Sequence, residues 1–352
     1  ALFMACKAMH DGKDWLSWEE AYRRPTDSLK KELKKQLSKE IQYHYFVQFL
    51  FFKEWYALKK YANEKDIQII GDIPIFVSLD SADAWANQHL FQLDSKGYPT
   101  SVAGVPPDYF STTGQLWGNP LYDWKKQQAD GFLWWHHRLL HQLQFFDKIR
   151  IDHFRAFESY YAVPYGATTA KIGRWVKGVG TKIFDGLDLD GRIIAEDLGI
   201  ITDKVRRLVK RTGFPGMKVF QFAFDGKSDN EHLPENVRYN TVYYTGTHDN
   251  DTLKGWYDAL DDGTKEYVKK TLGATDENVF DKTFKRVMRS RAKFVIVPMQ
   301  DYLLQGSEAR MNTPGTNDGN WKYVLPKNYA KVKNRIRKYV RNRCSDSRAR
   351  NK

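Results

Sequence analysis

Six short apolar runs most constrain how this 352-residue chain can fold. They lie at 67–77, 148–152, 193–195, 217–224, 242–245 and 294–300, and most are rich in Ile, Val, Phe or Tyr. Most are continuous, Lys148-Ile-Arg-Ile-Asp152 alternates, and all are too short for a helix, which fits buried strands. Stretches of helical spacing lie between several of them, at 131–143, 173–187, 202–212 and 276–290. Strands and helices in that alternation predict a parallel sheet covered by helices, and a chain of this length can build one large barrel. Pro74 is expected to stop regular pairing in the first run.

Three of the runs end in ionisable groups. They are Arg150-Ile-Asp152-His153, Ile193-Ile-Ala-Glu196-Asp197 and Tyr243-Tyr-Thr-Gly-Thr-His248-Asp249, and Asp72 closes the first run in the same way. A parallel barrel presents reactive side chains at the C-terminal ends of different strands.

Breaking an acetal between two sugars needs one ionised carboxyl group at the anomeric carbon and one protonated carboxyl group at the leaving oxygen. Asp152 suits the first role. Arg150 stands two residues away on the same face of the strand, and a guanidinium favours a charged neighbour. Glu196 suits the second, because Ile193, Ile194, Ala195 and Leu198 surround it with apolar groups that raise its proton affinity. Asp249 is a third carboxylate, able to hold substrate hydroxyls and to raise the proton affinity of Glu196, with His153 and His248 as hydroxyl donors. Each could instead be a structural ion pair. His153, Asp152, His248 and Asp249 could also ligate a cation, but no H-x-x-x-H or clustered-cysteine pattern supports a metal. No G-x-S-x-G motif occurs and neither cysteine lies near a motif, so a Ser or Cys nucleophile has no support.

Residues 78–125 form a long connection with Gly, Pro, Asp and many aromatics. Flat side chains beside Asp, Gln and Asn suit a sugar, whose C–H faces pack on rings while its hydroxyls take polar partners. An ordered structural cover is the alternative. The aromatic content of 15%, with 11 Trp and 20 Tyr, serves either purpose.

The net charge of +13 does not mark a nucleic-acid reader, since much of it lies at 30–35 and 327–352 while the middle is mixed in sign. Two cysteines near opposite ends give no disulfide framework and point to a reducing compartment. No run reaches the ~20 residues of a membrane helix. The start lacks a leader-like pattern and does not begin with Met, so the first residues need not be the natural start.

These residues resemble the 4-α-glucanotransferases called amylomaltase or disproportionating enzyme, glycoside hydrolase family 77. The carriers are Ile70-Gly-Asp-Ile-Pro-Ile-Phe-Val77, Ala103-Gly-Val-Pro-Pro-Asp-Tyr-Phe-Ser111, Gly114-Gln-Leu-Trp-Gly-Asn-Pro120, Arg150-Ile-Asp-His-Phe-Arg155, Ile194-Ala-Glu-Asp-Leu-Gly199, Thr245-Gly-Thr-His-Asp-Asn-Asp-Thr252 and Pro298-Met-Gln-Asp301. The resemblance implies a TIM-type (β/α)8 barrel, a retaining double displacement on maltooligosaccharides and α-1,4-glucans, and no cofactor. It implies a cytoplasmic enzyme, or a plastid one in a plant. It implies that Asp152 is the nucleophile, Glu196 the acid/base and Asp249 the transition-state stabiliser. It places Arg150, His153 and His248 around the cleaved linkage, and Asp108, Tyr109, Phe110, Gln115 and Trp117 on a loop over the acceptor side. Asp72, Asp197 and Asn320 join them as substrate contacts.

Two departures stand out. The family's first two barrel strands have no counterpart, so the six runs correspond to strands three to eight and the chain is expected to lack an N-terminal portion. Glu231-His-Leu-Pro-Glu-Asn236 stands where the family more often has Pro-His-Asn. The expected layout is a helical segment at 1–62 packing on the barrel, a barrel portion at 63–330 with the substrate loop 78–125, and a basic helix and tail at 331–352. Hydrolysis by the same residues and glucan binding without turnover remain open beside transfer.

Overall fold

In the computed structural model, which describes residues 1–107, 111–316 and 318–350, all six apolar runs contain strands, and all pair in parallel. In chain order the strands are β1 (Ile70–Pro74), β2 (Ser101–Val105), β3 (Gln115–Pro120), β4 (Lys148–Asp152), β5 (Ser159–Pro164), β6 (Arg174–Lys177), β7 (Ile193–Ala195), β8 (Gly216–Val219), β9 (Thr241–Tyr244) and β10 (Phe294–Ile296). The chain divides into two compact units, Ala1–Phe214 and Pro215–Lys352.

In the first unit β4 is the middle of a parallel sheet ordered β1-β4-β7. The core around it includes Ile73, Ile149, Ile151, Ile193, Trp135, Leu139 and Phe157. Gly71 is needed in β1 because a Cβ there would lie 2.1 Å from the Phe146 ring. Pro74 is the last residue of β1 and makes the last pair with β4, in register with Asp152, so regular pairing stops there as expected. It is tolerated in that last pair because β1 lies at the edge of this sheet, where proline's missing N–H can face away from the ladder.

The connection at 78–125 is not loop alone. It supplies β2 and β3 to an antiparallel sheet ordered β3-β2-β5-β6. The helix expected at 173–187 is replaced by β6 and a 3₁₀ turn at Gly180–Phe184. Glycines at 173, 178, 180 and 186 make a helix costly there, and Arg174–Lys177 pairs instead with β5.

The N-terminal stretch is helical as expected, with Leu2–Met9, Asp27–Gln36 and Ser38–Asn63 as its main helices. The helix Ser38–Asn63 buries only Ile41 and rests on the helix Leu133–Phe145, where Trp55 Nε1 donates to the Phe145 carbonyl at 3.0 Å. Tyr43, Phe46, Phe49, Phe51, Leu58 and Tyr61 are exposed. Apolar residues lie all around this helix, so one packed side cannot bury them.

In the second unit the sheet order is β10-β9-β8, and all four residues of the central β9 are buried. Helices Leu253–Ala259, Asp262–Leu272, Val279–Arg289 and Lys333–Arg350 cover a core of Phe220, Tyr243, Val268, Phe284 and Tyr339. Asp261 caps its helix by accepting from the Thr264 amide, and Gly273 ends it at φ 60°.

Candidate active site

The first unit's site grows from the end of β4. Arg150 lies opposite Asp72 in the β1–β4 register and two residues before Asp152. One guanidinium therefore reaches both. Nη1 donates to Asp72 Oδ2 and Nη2 to Asp152 Oδ1, each at 2.6 Å. The Arg150 side chain is 9% exposed while the two carboxylates are 44% and 43% exposed. A fixed cation thus sits beneath two accessible acids, and its paired N–H groups orient both.

Glu196 follows β7 directly. Its amide donates to the Ile151 carbonyl at 3.1 Å, extending the β4–β7 ladder by one residue. Its Oε2 accepts from the His153 amide at 2.8 Å and its Oε1 from the Leu198 amide at 2.7 Å. Burial pushes its carboxyl up to about 7; the charge of Asp152 adds to the rise and Arg150 opposes it. Each oxygen keeps a second lone pair, so the group can carry a proton without losing either backbone bond.

His153 adopts a left-handed conformation at φ 52°. Histidine tolerates this region better than most residues, and such strain gathers at functional sites. Burial, with Arg155 adding, pushes its imidazole down to about 3, so the ring is neutral at neutral pH. Its Nε2 is buried with no hydrogen-bond partner among the described residues. Its ring stands edge-on to Trp117 at 4.7 Å, and Trp117 Nε1 donates to Gln115 Oε1 at 3.1 Å. Asp197 is half-buried beside this group and also raises the proton affinity of Glu196.

In the second unit β9 leads into the loop that bears His248 and Asp249. Asp249 Oδ1 accepts from Asn312 Nδ2 at 2.6 Å, and its carbonyl accepts from Arg310 Nη2 at 2.7 Å. His248 Nε2 lies 3.4 Å from Asp249 Oδ2, and its ring lies 5.2 Å from that of Trp321. The amide of Asn320 is committed locally: Oδ1 accepts from the Thr313 amide and Nδ2 donates to the Thr316 carbonyl, both at 2.9 Å.

The structure thus gathers Asp72, Arg150, Asp152, His153, Glu196, Asp197, Gln115 and Trp117 in one unit and His248, Asp249 and Asn320 in the other. Asp108, Tyr109 and Phe110 lie outside the described residues. Asn312, Arg310 and Trp321 escaped the sequence reading. No local spacing signals them, since Asn312 and Arg310 act on a residue 63 and 61 positions away. Arg155 stood in a noted motif without a role. Its guanidinium lies 3.9 Å from the Trp175 ring centre and also bonds the Ile200 carbonyl. Among the described residues no group of three or more His, Cys, Asp or Glu could hold a metal ion, and no helix is long and apolar enough to cross a membrane.

A family model described as 4-alpha-glucanotransferase matches residues 1–328. The 4-alpha-glucanotransferase of Aquifex aeolicus is 47% identical over 346 residues, which are 97% of this chain and 71% of that protein. That of Streptococcus pneumoniae is 45% identical over 331 residues, 92% of this chain and 66% of that protein. Among solved structures, amylomaltase from Streptococcus agalactiae in complex with acarbose superposes with a TM-score of 0.92 at 36% identity, over 97% of this chain and 70% of that one. The chain thus spans about two-thirds of the length of these relatives. With an α/β fold of the amylomaltase type, a match over most of its length and acids at three strand ends, the chain belongs to the 4-alpha-glucanotransferase family, enzymes that transfer segments of 1,4-α-glucan.

Proposed function

We propose that this chain carries out a retaining transfer in which Asp152 attacks, Glu196 exchanges protons and Asp249 steadies the sugar as charge develops. Asp152 Oδ forms a bond to the anomeric carbon as the bond to the leaving glycosidic oxygen breaks. Glu196 gives its proton to that oxygen, and the shortened glucan departs. The second step reverses the pattern. Glu196, now ionised, takes the proton of an acceptor's 4-hydroxyl, whose oxygen attacks the anomeric carbon and releases Asp152. Asp72, Arg150, His153, Asp197, His248, Gln115, Trp117 and Asn320 serve as the surrounding substrate contacts, with Asp108, Tyr109 and Phe110 over the acceptor side. The unpartnered Nε2 of the neutral His153 ring suits a sugar hydroxyl.

One observation carries this reading. Arg150 is paired to Asp152, while the neighbouring Glu196 is held near 7 by burial. A buried acid that keeps its proton beside an accessible, ion-paired one can divide the roles of acid and nucleophile with it. We read the six parallel strands as strands three to eight of the (β/α)8 barrel type. The substrates are maltooligosaccharides and 1,4-α-glucans, and the compartment is the cytoplasm, or the plastid in a plant, as in the family.

Incubation of the chain with maltotriose, with products separated by length, tests the proposal. Transfer yields glucose together with longer maltooligosaccharides. Glucose and maltose alone would mean water is the acceptor, and an unchanged product pattern in Asp152→Asn would remove the assigned nucleophile.

A further inference from the structure

A single buried carboxylate fastens both ends of the loop that carries His248 and Asp249. Asp301 lies in the short helix Met299–Tyr302 just after β10 and is 1% exposed. Its Oδ2 accepts from Thr245 Oγ1 at 2.6 Å and its Oδ1 from the Leu253 amide at 2.7 Å. Thr245 is the first residue after β9, and Leu253 is the first of the helix Leu253–Ala259. Between them no residue is helical or in a strand, so the path of the loop depends on its anchors.

Other bonds meet the loop at single points, several from far along the chain, as Asn312 and Arg310 do at Asp249. Asn250 Oδ1 accepts from Thr247 Oγ1 at 2.9 Å, Asp251 Oδ2 accepts from Ser307 Oγ at 2.6 Å, and Gln221 Nε2 donates to the Asp251 carbonyl at 2.8 Å. Asp301 alone joins the loop's beginning to its end among the hydrogen bonds described here. A buried acid needs a reason to stay, since burial pushes its carboxyl up to about 6 and the Asp251 charge adds to the rise. Its two donors oppose that rise, and a carboxylate is the side chain that can accept from two separate points at once.

We propose that Asp301 is a positioning residue for the transfer reaction: by tying Thr245 to Leu253 it sets where Asp249 stands. The proposal rests on the reading of Asp249 as a participant in transfer. Asp301 acts through Asp249 and touches no substrate. Asp301→Asn keeps the shape and can still accept from the Leu253 amide, but it sets an NH2 group against Thr245 Oγ1, whose hydroxyl must turn from donor to acceptor, and it removes the charge that strengthens both bonds. Valine at 245 removes the hydroxyl while keeping the outline of the side chain.

The test is a double-mutant cycle on the chain with maltotriose as substrate, using Asp301→Asn, Asp249→Asn and both together. Backbone amide exchange of the 246–252 segment is measured alongside. Misplacing a reacting group by about an ångström can cost on the order of 100-fold. Asp301→Asn is therefore expected to lower kcat by roughly that factor with little change in KM, and to speed exchange across 246–252 while the helix Val279–Arg289 stays protected. In the Asp249→Asn background the same change is expected to cost nothing further. Thr245→Val is expected to act in the same direction by a smaller factor, and it carries the test if Asp301→Asn fails to fold. Equal losses in both backgrounds, or unchanged kcat and exchange in Asp301→Asn, overturn the proposal while leaving Asp249 its role. Full transfer activity in Asp249→Asn overturns that role and the proposal with it.

Discussion

The backbone N–H of His153 donates to Glu196 Oε2 at 2.8 Å, so the residue next to Asp152 in the chain also holds the second acid. The φ of 52° at His153 is the conformation in which this bond is made, just as β4 ends. Two acids on different strands are thereby fixed to one short piece of backbone.

The proton affinity of Glu196 gives a pH prediction. The proposed first step needs Glu196 protonated, and its carboxyl ionises near 7. kcat/KM for transfer is expected to fall as pH rises through about 7, and Glu196→Gln is expected to lower it by about 10²–10⁴-fold. The fall should be seen with natural glucans. It should vanish with a donor whose leaving group needs no proton. A pH profile on both donors checks this.

The same group makes a stability prediction of defined sign. Its folded proton affinity lies above the ordinary carboxyl value of 4.5, so ionising it opposes the folded state. The wild-type chain should lose stability relative to Glu196→Gln as pH rises from about 5 to 8, by an amount on the order of 2–3 kcal/mol. Glutamine cannot accept both backbone N–H groups, so the change with pH is the quantity to read. Urea unfolding at several pH values measures it.

Arg150 supports two carboxylates, and the pair should respond unequally. Asp152→Asn is expected to abolish transfer. Asp72→Asn is expected to lower kcat only about tenfold, because it removes a partner of Arg150 and a substrate contact but not the attacking oxygen. Steady-state kinetics on maltotriose separates the two; equal losses would mean that Arg150's pairing, rather than attack by Asp152, limits the reaction.

Gly71 offers a packing prediction. A methyl group there would meet the Phe146 ring at 2.1 Å. Gly71→Ala is expected to destabilise the chain by about 1–3 kcal/mol. Adding Phe146→Leu should recover part of that loss, as read from denaturant midpoints.

The exposed rings of the helix Ser38–Asn63 predict self-association. Phe46, Phe49 and Tyr61 are 58%, 61% and 62% exposed, and apolar surface gathered this densely tends to find a partner. Light scattering after size exclusion should show a mass that rises with concentration. Phe46→Glu with Phe49→Lys should lower it.

Much of this was legible in the sequence. Every apolar run proved to contain a parallel strand, because continuous Ile and Val runs have few other places to go. Arg150 and Asp152 share a face by the two-residue period of a strand, and the apolar neighbours of Glu196 foretold its raised proton affinity. The antiparallel sheet was not legible. Its strands β2, β3, β5 and β6 lie in stretches rich in Gly and Pro, and their pairing depends on partners far along the chain. Nor was the clamp of Asn312 and Arg310 on Asp249, since only the fold brings them together.

Trapping the covalent intermediate tests the account most directly. α-Maltosyl fluoride reacts without a proton donor, so Glu196→Gln should accept the sugar but lack the base needed to release it. Mass spectrometry of a digest is predicted to find the maltosyl group on the peptide that contains Asp152, and to lose it in the Asp152→Asn, Glu196→Gln double variant. A maltosyl group on any other residue, or one that persists after Asp152 is replaced, would contradict the account.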